Sequence, residues 1–312
     1  MKNQSSVTEF ILVGLSSRPE HQMFLFMVFT FIYVAALAGN ILLILTVIAS
    51  SCLHTPMYFL LINLSLINIL SISASVPKML HNLLEHRKTI AFLGCIVQIC
   101  LFTWTLASEA LVLAAMAFDR YAAICHPLHY TLIMRKGVCL GLIAGVWIVG
   151  LANSAVHTGL VFQLSFCGSN VINHFFCELP PVLKLSCSDT SLNEIMTFLA
   201  DTFFGMGGCG ITVMSYYFIL RTILKIHSTE GKKKAFSTCS SHLLVVSLYF
   251  STVIYTYIQP SSAYSLDREK VTTVLYSVIT PFLNPIIYSL RNKEVKEALR
   301  KLISRLGIFQ RQ

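Results

Sequence analysis

The sequence predicts an all-α membrane protein: a seven-transmembrane-helix bundle with a short amphipathic eighth helix. Three observations carry that reading. The 312 residues are 55% hydrophobic and only 12% charged, with a mean hydropathy of +0.71, whereas a soluble domain holds about 25% charged residues. Seven apolar runs are each long enough to cross roughly 30 Å of hydrocarbon, which takes about 20 helical residues. Basic residues are shared unequally between the connecting segments, as a fixed orientation requires.

The runs fall at 24–49, 57–80, 95–122, 138–162, 195–224, 236–259 and 271–290. The third and fifth exceed the bilayer and should tilt or project beyond it. The first starts too late and runs too long for a cleavable signal peptide, and no small-residue cleavage site follows, so it reads as an uncleaved anchor. With the amino terminus outside, fifteen of the 23 Lys and Arg fall in cytoplasmic segments. The chain then divides into an extracellular segment 1–23, a membrane domain 24–290 and a cytoplasmic amphipathic helix and tail 291–312, in a multi-pass protein of the plasma membrane. The net charge of +9 gathers at membrane edges. That placement fits anionic inner-leaflet lipid and a cytoplasmic protein partner better than nucleic acid.

Taken in order, Asn3-Gln4-Ser5 is a glycosylation acceptor on the outer side. The first run holds Gly39-Asn40 at mid-membrane depth, where an amide hydrogen-bonds a neighbouring helix. Pro56 starts the second run, tolerated because a first-position N–H has no intrahelical partner anyway. Asp119 and Arg120 end the third run, where a charged pair is cheaper than at the bilayer centre; alone, the pair reads as an interfacial anchor. Cys95, Cys167, Cys177 and Cys187 fall on the oxidising side. Four cysteines permit three pairings, and spacing does not choose. The other six read as small apolar residues with free thiols. No C-x2-C spacing appears, so the sequence calls for no metal. Lys232, Lys233 and Lys234 form a solvated flank before the sixth run. Asn284-Pro285 frees a backbone carbonyl in the seventh run and invites a bend. Val295, Leu299 and Leu302 recur among basic residues, the pattern of a helix lying on a membrane surface.

The string Met116-Ala-Phe-Asp-Arg-Tyr-Ala-Ala-Ile-Cys-His-Pro-Leu-His-Tyr130 resembles the MAYDRYVAICHPLHY signature of odorant receptors, within the rhodopsin-like G-protein-coupled receptors. Phe118 and Ala122 depart from it, outside the Asp-Arg-Tyr core. The resemblance continues in Leu53 to Leu60 (LHTPMYFFL), Ser215 to Ile219 (SYxxI), Lys234 to His242 (KAFSTCxSH) and Pro281 to Asn292 (PxLNPxIYxLRN). It implies a receptor and not an enzyme, without cofactor, whose partners are a small, mostly apolar volatile ligand and a stimulatory olfactory-type G protein that raises cyclic AMP. It implies disulfides Cys95–Cys177 and Cys167–Cys187. It also implies an inner switch built from Asp119, Arg120, Tyr121, Tyr216, Lys234, His242, Asn284, Pro285 and Tyr288, in which Arg120 is released from Asp119 and from neighbours on the sixth helix.

Glu109 lies eleven residues before Arg120, three turns or roughly 16 Å along one face. Phe102, Thr103, Leu106 and Ala107 continue that inward region toward the outer end. Alone they read as core packing; the resemblance makes them one wall of a ligand cavity. Counting from the motifs adds Asp201, Phe204 and Gly205 from the fifth helix, Val253, Ile254 and Tyr257 from the sixth, and Ser277 from the seventh. Asp201 is an intramembrane carboxylate, which is either a functional group or a partner for a neighbouring helix. The family carries Asp where Asn68 stands, so a cation site beside Glu109 loses one carboxylate, and Glu109 is left to hydrogen-bond Asn68 or a nearby serine. A transporter is the competing class, but broken helices in two repeated halves are not evident. Chemosensing outside the nose fits the same fold.

Overall fold

The computed structural model describes residues 7–16, 18–258 and 266–305. Asn3 lies outside the described residues, as do the side chains of Lys234, Val253, Ile254 and Tyr257. Helices α1 (Pro19–Ala49), α2 (Pro56–Leu84), α3 (Phe92–Cys125), α4 (Lys136–Phe162), α5 (Ser191–Lys225), α6 (Thr229–Ile258), α7 (266–291) and α8 (Lys293–Arg305) follow one another. Among the described residues, six of these are long and apolar enough to cross a membrane, namely α1 to α5 and α7. Helix α6 opens on Glu230, Lys232 and Lys233, and completes the seven-helix bundle by packing against α3, α5 and α7.

Helix α1 begins five residues before the apolar run at 24, and α6 seven residues before the run at 236. Hydropathy marks where hydrocarbon starts, whereas backbone hydrogen bonds carry a helix on into water. The amphipathic eighth helix forms, with Val295 and Ala298 buried against the bundle and Leu299 and Leu302 half-buried.

One departure from the all-helical expectation is a small sheet, ordered β2-β1-β3. Strand β1 (Glu9–Leu12) pairs antiparallel with β2 (Thr89–Ala91) and parallel with β3 (Val171–Ile172). Phe10 and Leu12 alternate inward and are buried with Ile90, Ile172 and Cys95. Four alternating residues are too few to stand out from a long sequence, yet here they clip the N-terminal segment to the loop between α4 and α5.

Helix α3 is central and packs against α2, α4 and α5. The two backbones of α3 and α4 approach closely at Gly150. A Cβ built there would fall inside van der Waals contact of Ser108 Oγ and 3.1 Å from the Trp104 carbonyl oxygen. Ser108 can rotate away but the backbone carbonyl can yield only slightly, so any larger residue crowds the crossing. Gly150→Ala should cost about 1–3 kcal/mol through overpacking. The expected result is a lower thermal midpoint and reduced surface display, while Gly145→Ala, whose Cβ would meet nothing within 4 Å, changes neither. Equal behaviour of the two variants would contradict this packing argument.

Polar groups inside the bundle are tied across helices. Asn40 Nδ2 donates to the carbonyl of Pro281 at 3.0 Å, the group that Pro285 leaves without its usual i+4 amide. Asn68 Nδ2 donates to Asn40 Oδ1 and Asn284 Nδ2 donates to Asn68 Oδ1, each at 3.3 Å. Asn40, Asn68 and Asn284 thus form one amide relay joining α1, α2 and α7. Asn68 is bonded to two amides, and among the described residues Glu109 hydrogen-bonds neither Asn68 nor a serine, the two partners expected for it. Glu109 is buried beside Asn284, and its Oε1 has no hydrogen-bond partner among the described residues.

Candidate functional site

A cavity of about 360 Å³ opens within the bundle, toward the end that carries the sheet and disulfides. Helix α3 contributes Phe102, Thr103, Leu106 and Ala107 to its wall, and α5 contributes Asp201, Phe204 and Gly205. Seven of the eleven expected cavity residues therefore line it together. Near Asp201 the α-helix widens into a π turn over Thr202–Gly207, which inserts an extra residue and turns Phe204 and Gly205 toward α3. The Asp201 carboxylate makes no hydrogen bond among the described residues.

Ser277 is not in the wall. It is fully buried and donates to the carbonyl of Thr273 at 2.6 Å. A π turn over Leu275–Ile279 shifts the register of α7, so Tyr276 faces the cavity instead. From α6 the described lining residue is Tyr249, one turn before Val253. Its hydroxyl donates to the Leu106 carbonyl at 3.2 Å, joining α6 to α3 at the cavity floor.

Sequence reasoning missed two further contributors. Helix α4 supplies Asn153 and His157, yet α4 carries no motif from which to count. The loop supplies Glu178, Leu179 and Pro180, whose position depends on the disulfides and not on any helical period.

The loop is pinned from several directions. Cys95 is joined to Cys177 and Cys167 to Cys187. Gln98 accepts from the Cys177 N–H at 2.8 Å and donates to the Ala74 carbonyl at 2.8 Å. Phe175 and Phe176 are buried among side chains of α1, α2, α3 and α7. Tyr276 donates to Glu178 Oε1, and Thr273 donates to Glu178 Oε2 at 3.3 Å. His174 stacks on Phe175 and lies 3.7 Å from Glu178. Burial first, and the nearby Lys270 charge second, push the His174 pKa down to about 4, so the ring is neutral at pH 7 and packs as an apolar group against Phe175 and Phe176.

At the opposite end, Arg120 pairs with Asp119 at 3.1 Å, and Tyr130 donates to Asp119 Oδ1 at 2.8 Å. Asp119 is fully buried. Among the described residues Arg120 forms no ion pair or hydrogen bond with α6, which corrects that part of the expected switch. Helix α6 is instead held through His242. The Leu113 carbonyl, 3.2 Å from His242 Nε2, can only accept, so Nε2 carries a proton, while Nδ1 lies 2.8 Å from the Tyr216 hydroxyl, which also approaches the Cys239 carbonyl at 3.4 Å. One imidazole therefore joins α3, α5 and α6. Tyr121 contacts His126 and Phe218. Asn284 sits in the amide relay, Pro285 packs against Gly39, and the buried Tyr288 hydroxyl has no partner among the described residues.

Comparison with known proteins places this geometry in context. A family model described as olfactory receptor matches residues 29–305. Human olfactory receptor 13A1 is 52% identical over 302 residues, covering 97% of this chain and 92% of that protein. Human olfactory receptor 13G1 is 48% identical over 302 residues, and mouse olfactory receptor 5AR1 is 49% identical over 304 residues; each alignment covers 97% of this chain and 98% of the relative.

Proposed function

Because the chain belongs to the olfactory receptor family, a multi-pass membrane receptor and not an enzyme, we propose that its cavity binds a small, mostly apolar volatile odorant and that binding activates a stimulatory olfactory-type G protein, raising cyclic AMP. The observation that carries the reading is the cavity itself: a volume suited to a compact ligand, with a wall that is mostly aromatic and aliphatic and polar groups converging on it from Asn153, His157, Glu178 and Asp201, as small-molecule sites in bundles have. In this reading the disulfide-bearing end faces outward from the plasma membrane and the Asp119–Arg120 end faces the cytoplasm.

A ligand shifts a conformational equilibrium only by binding one arrangement more tightly. Tyr249 is the group through which occupancy reaches α6, because it lines the cavity and is bonded to α3. Two turns earlier on α6, His242 makes the second tie to α3, and both must rearrange for α6 to swing. Displacement of Tyr249 by ligand, followed by release of Arg120 from Asp119, opens a groove for the G protein's carboxy-terminal helix. A cyclic AMP screen of volatile ligands in cells displaying the receptor tests this. An active volatile whose potency falls on Leu106→Phe or Tyr249→Phe supports the site; an agonist unaffected by both places binding elsewhere.

Asp201 sets the polar character of that ligand. If its unpaired carboxylate meets the odorant, the best agonists include amines or hydrogen-bond donors. Asp201→Asn should then weaken amines by tenfold or more and alcohols by less, read from concentration–response curves. Equal losses in both classes would assign Asp201 a structural role.

Sodium should matter little. A sodium ion leaving water needs charged and dipolar oxygens, and among the described residues the amide relay through Asn68 sets an amide, not a second carboxylate, near Glu109. Replacing extracellular sodium with a bulky organic cation at constant ionic strength should shift agonist potency less than threefold, with Asn68→Asp as the comparison. A tenfold shift in the native receptor, about 1.4 kcal/mol of coupling, would refute it.

A further inference from the structure

A second and larger cavity, of about 580 Å³, lies at the Asp119–Arg120 end between the starts of α2 and α4 and the turn Tyr130–Ile133. It lies at the far end of the bundle from the odorant cavity and shares no lining residue with it. Its inner wall is apolar, with Phe59, Ile62, Met134 and Leu140, and Leu140 is half exposed on the open side. Its rim carries Arg135 and Lys136, both exposed. No carboxylate lines it, and among the described residues neither basic side chain forms an ion pair.

The depth of this crevice in the bilayer follows from the helices. Helix α4 crosses the membrane from Lys136 onward, so Arg135 and Lys136 sit at headgroup level and Leu140 one turn deeper, among acyl chains. A basic rim above an apolar slot, open toward lipid, matches an amphiphile with an anionic head and a hydrocarbon tail. A guanidinium holds phosphate oxygens in a bidentate fork, and an ammonium adds a point charge beside it. A zwitterionic lipid would fill the slot equally well and offer the same phosphate, but its choline cation would sit beside the basic rim and weaken the match.

We propose that this crevice is a specific site for an anionic phospholipid, its phosphate held by Arg135 and Lys136 and one acyl chain lying along Phe59, Ile62, Met134 and Leu140. The site also touches the switch. Tyr130 lines the crevice and its hydroxyl is the group bonded to Asp119. A chain packed against that ring fixes the Tyr130–Asp119 bond, so bound lipid favours the arrangement in which Arg120 remains paired. The inference rests on the membrane reading of the chain and not on which odorant it detects.

Native mass spectrometry of the full-length receptor in detergent tests it, with phosphatidylserine and phosphatidylcholine of identical acyl chains supplied in equal amounts. The native receptor should retain phosphatidylserine at least tenfold over phosphatidylcholine. Arg135→Gln with Lys136→Gln should bring the two to parity, and Leu140→Trp, which fills the slot, should reduce retention of both. Glycerophosphoserine, the same headgroup without chains, should not compete; full competition would make this an anion site without a lipid tail and overturn the proposal. Equal retention by the native receptor, or an unchanged preference in the double variant, overturns it too. Loss of G-protein activation in the double variant with lipid preference intact would assign the basic pair to the protein partner instead. None of these lipid measurements needs an odorant, so failure of the odorant reading leaves the result interpretable.

Discussion

Arg120→Ala is expected to abolish agonist-driven cyclic AMP. Its guanidinium lies at the end proposed to receive the G protein, held back by the 3.1 Å contact to Asp119. Removing it alone strands a fully buried carboxylate with Tyr130 as its remaining partner. Breaking a buried pair from one side costs about 3–5 kcal/mol, enough to lower surface display for reasons unrelated to signalling. The informative comparison is therefore Asp119→Asn with Arg120→Ala, in which the amide still accepts from Tyr130 and no charge is stranded. That double variant should reach the surface at close to native amounts, bind ligand and give no cyclic AMP response. Asp119→Asn alone should raise basal cyclic AMP several-fold, because the restraint on Arg120 is weakened while Arg120 is kept. Normal agonist response in the well-displayed double variant would remove Arg120 from the coupling step.

Cys177→Ser is expected to eliminate surface delivery. The bond to Cys95 closes 82 residues of sequence, and native disulfides contribute about 2–5 kcal/mol, with longer loops at the upper end. Here the local consequence is larger than the loop entropy. Cys177 is completely buried, its N–H is held by Gln98, and Phe175, Phe176 and Glu178 on either side form the lid and part of the cavity wall. Cys95→Ser and the double serine variant should fail to the same degree as the single variant, since all three break one bond. Cys167→Ser, which opens a loop of only 20 residues away from the cavity, should reduce surface display by a smaller factor. A Cys177→Ser receptor that reaches the surface and responds at native potency would show that the lid does not depend on this bond.

What the sequence by itself determined was whatever depends on composition along a single helix. Hydrocarbon thickness dictates the length of an apolar run, so the membrane helices were legible, with errors confined to ends such as Pro19 and Thr229 where the helix continues into water. The inward face of α3 was legible as well, because 3.6 residues per turn places Phe102, Leu106 and Glu109 relative to Arg120 without knowledge of any neighbour. Long motifs fixed the family through residues such as Asp119, Arg120, Tyr121 and Pro285. What only the tertiary structure decided was how those helices are rotated and tied together. Two π turns each add a residue to a helical turn, and that is why Tyr276 and not Ser277 reaches the cavity. The partners of Asn40, Asn68 and His242 lie 241, 28 and 129 residues away in sequence, and a hydrogen bond between helices leaves no period in either one. The entry of Glu178 into the cavity, and of Tyr130 into both the lipid crevice and the Asp119 bond, arises where loops fold back over helix ends. Such positions follow from the packing of the whole bundle, because a loop has no repeating backbone geometry from which its side-chain directions could be counted.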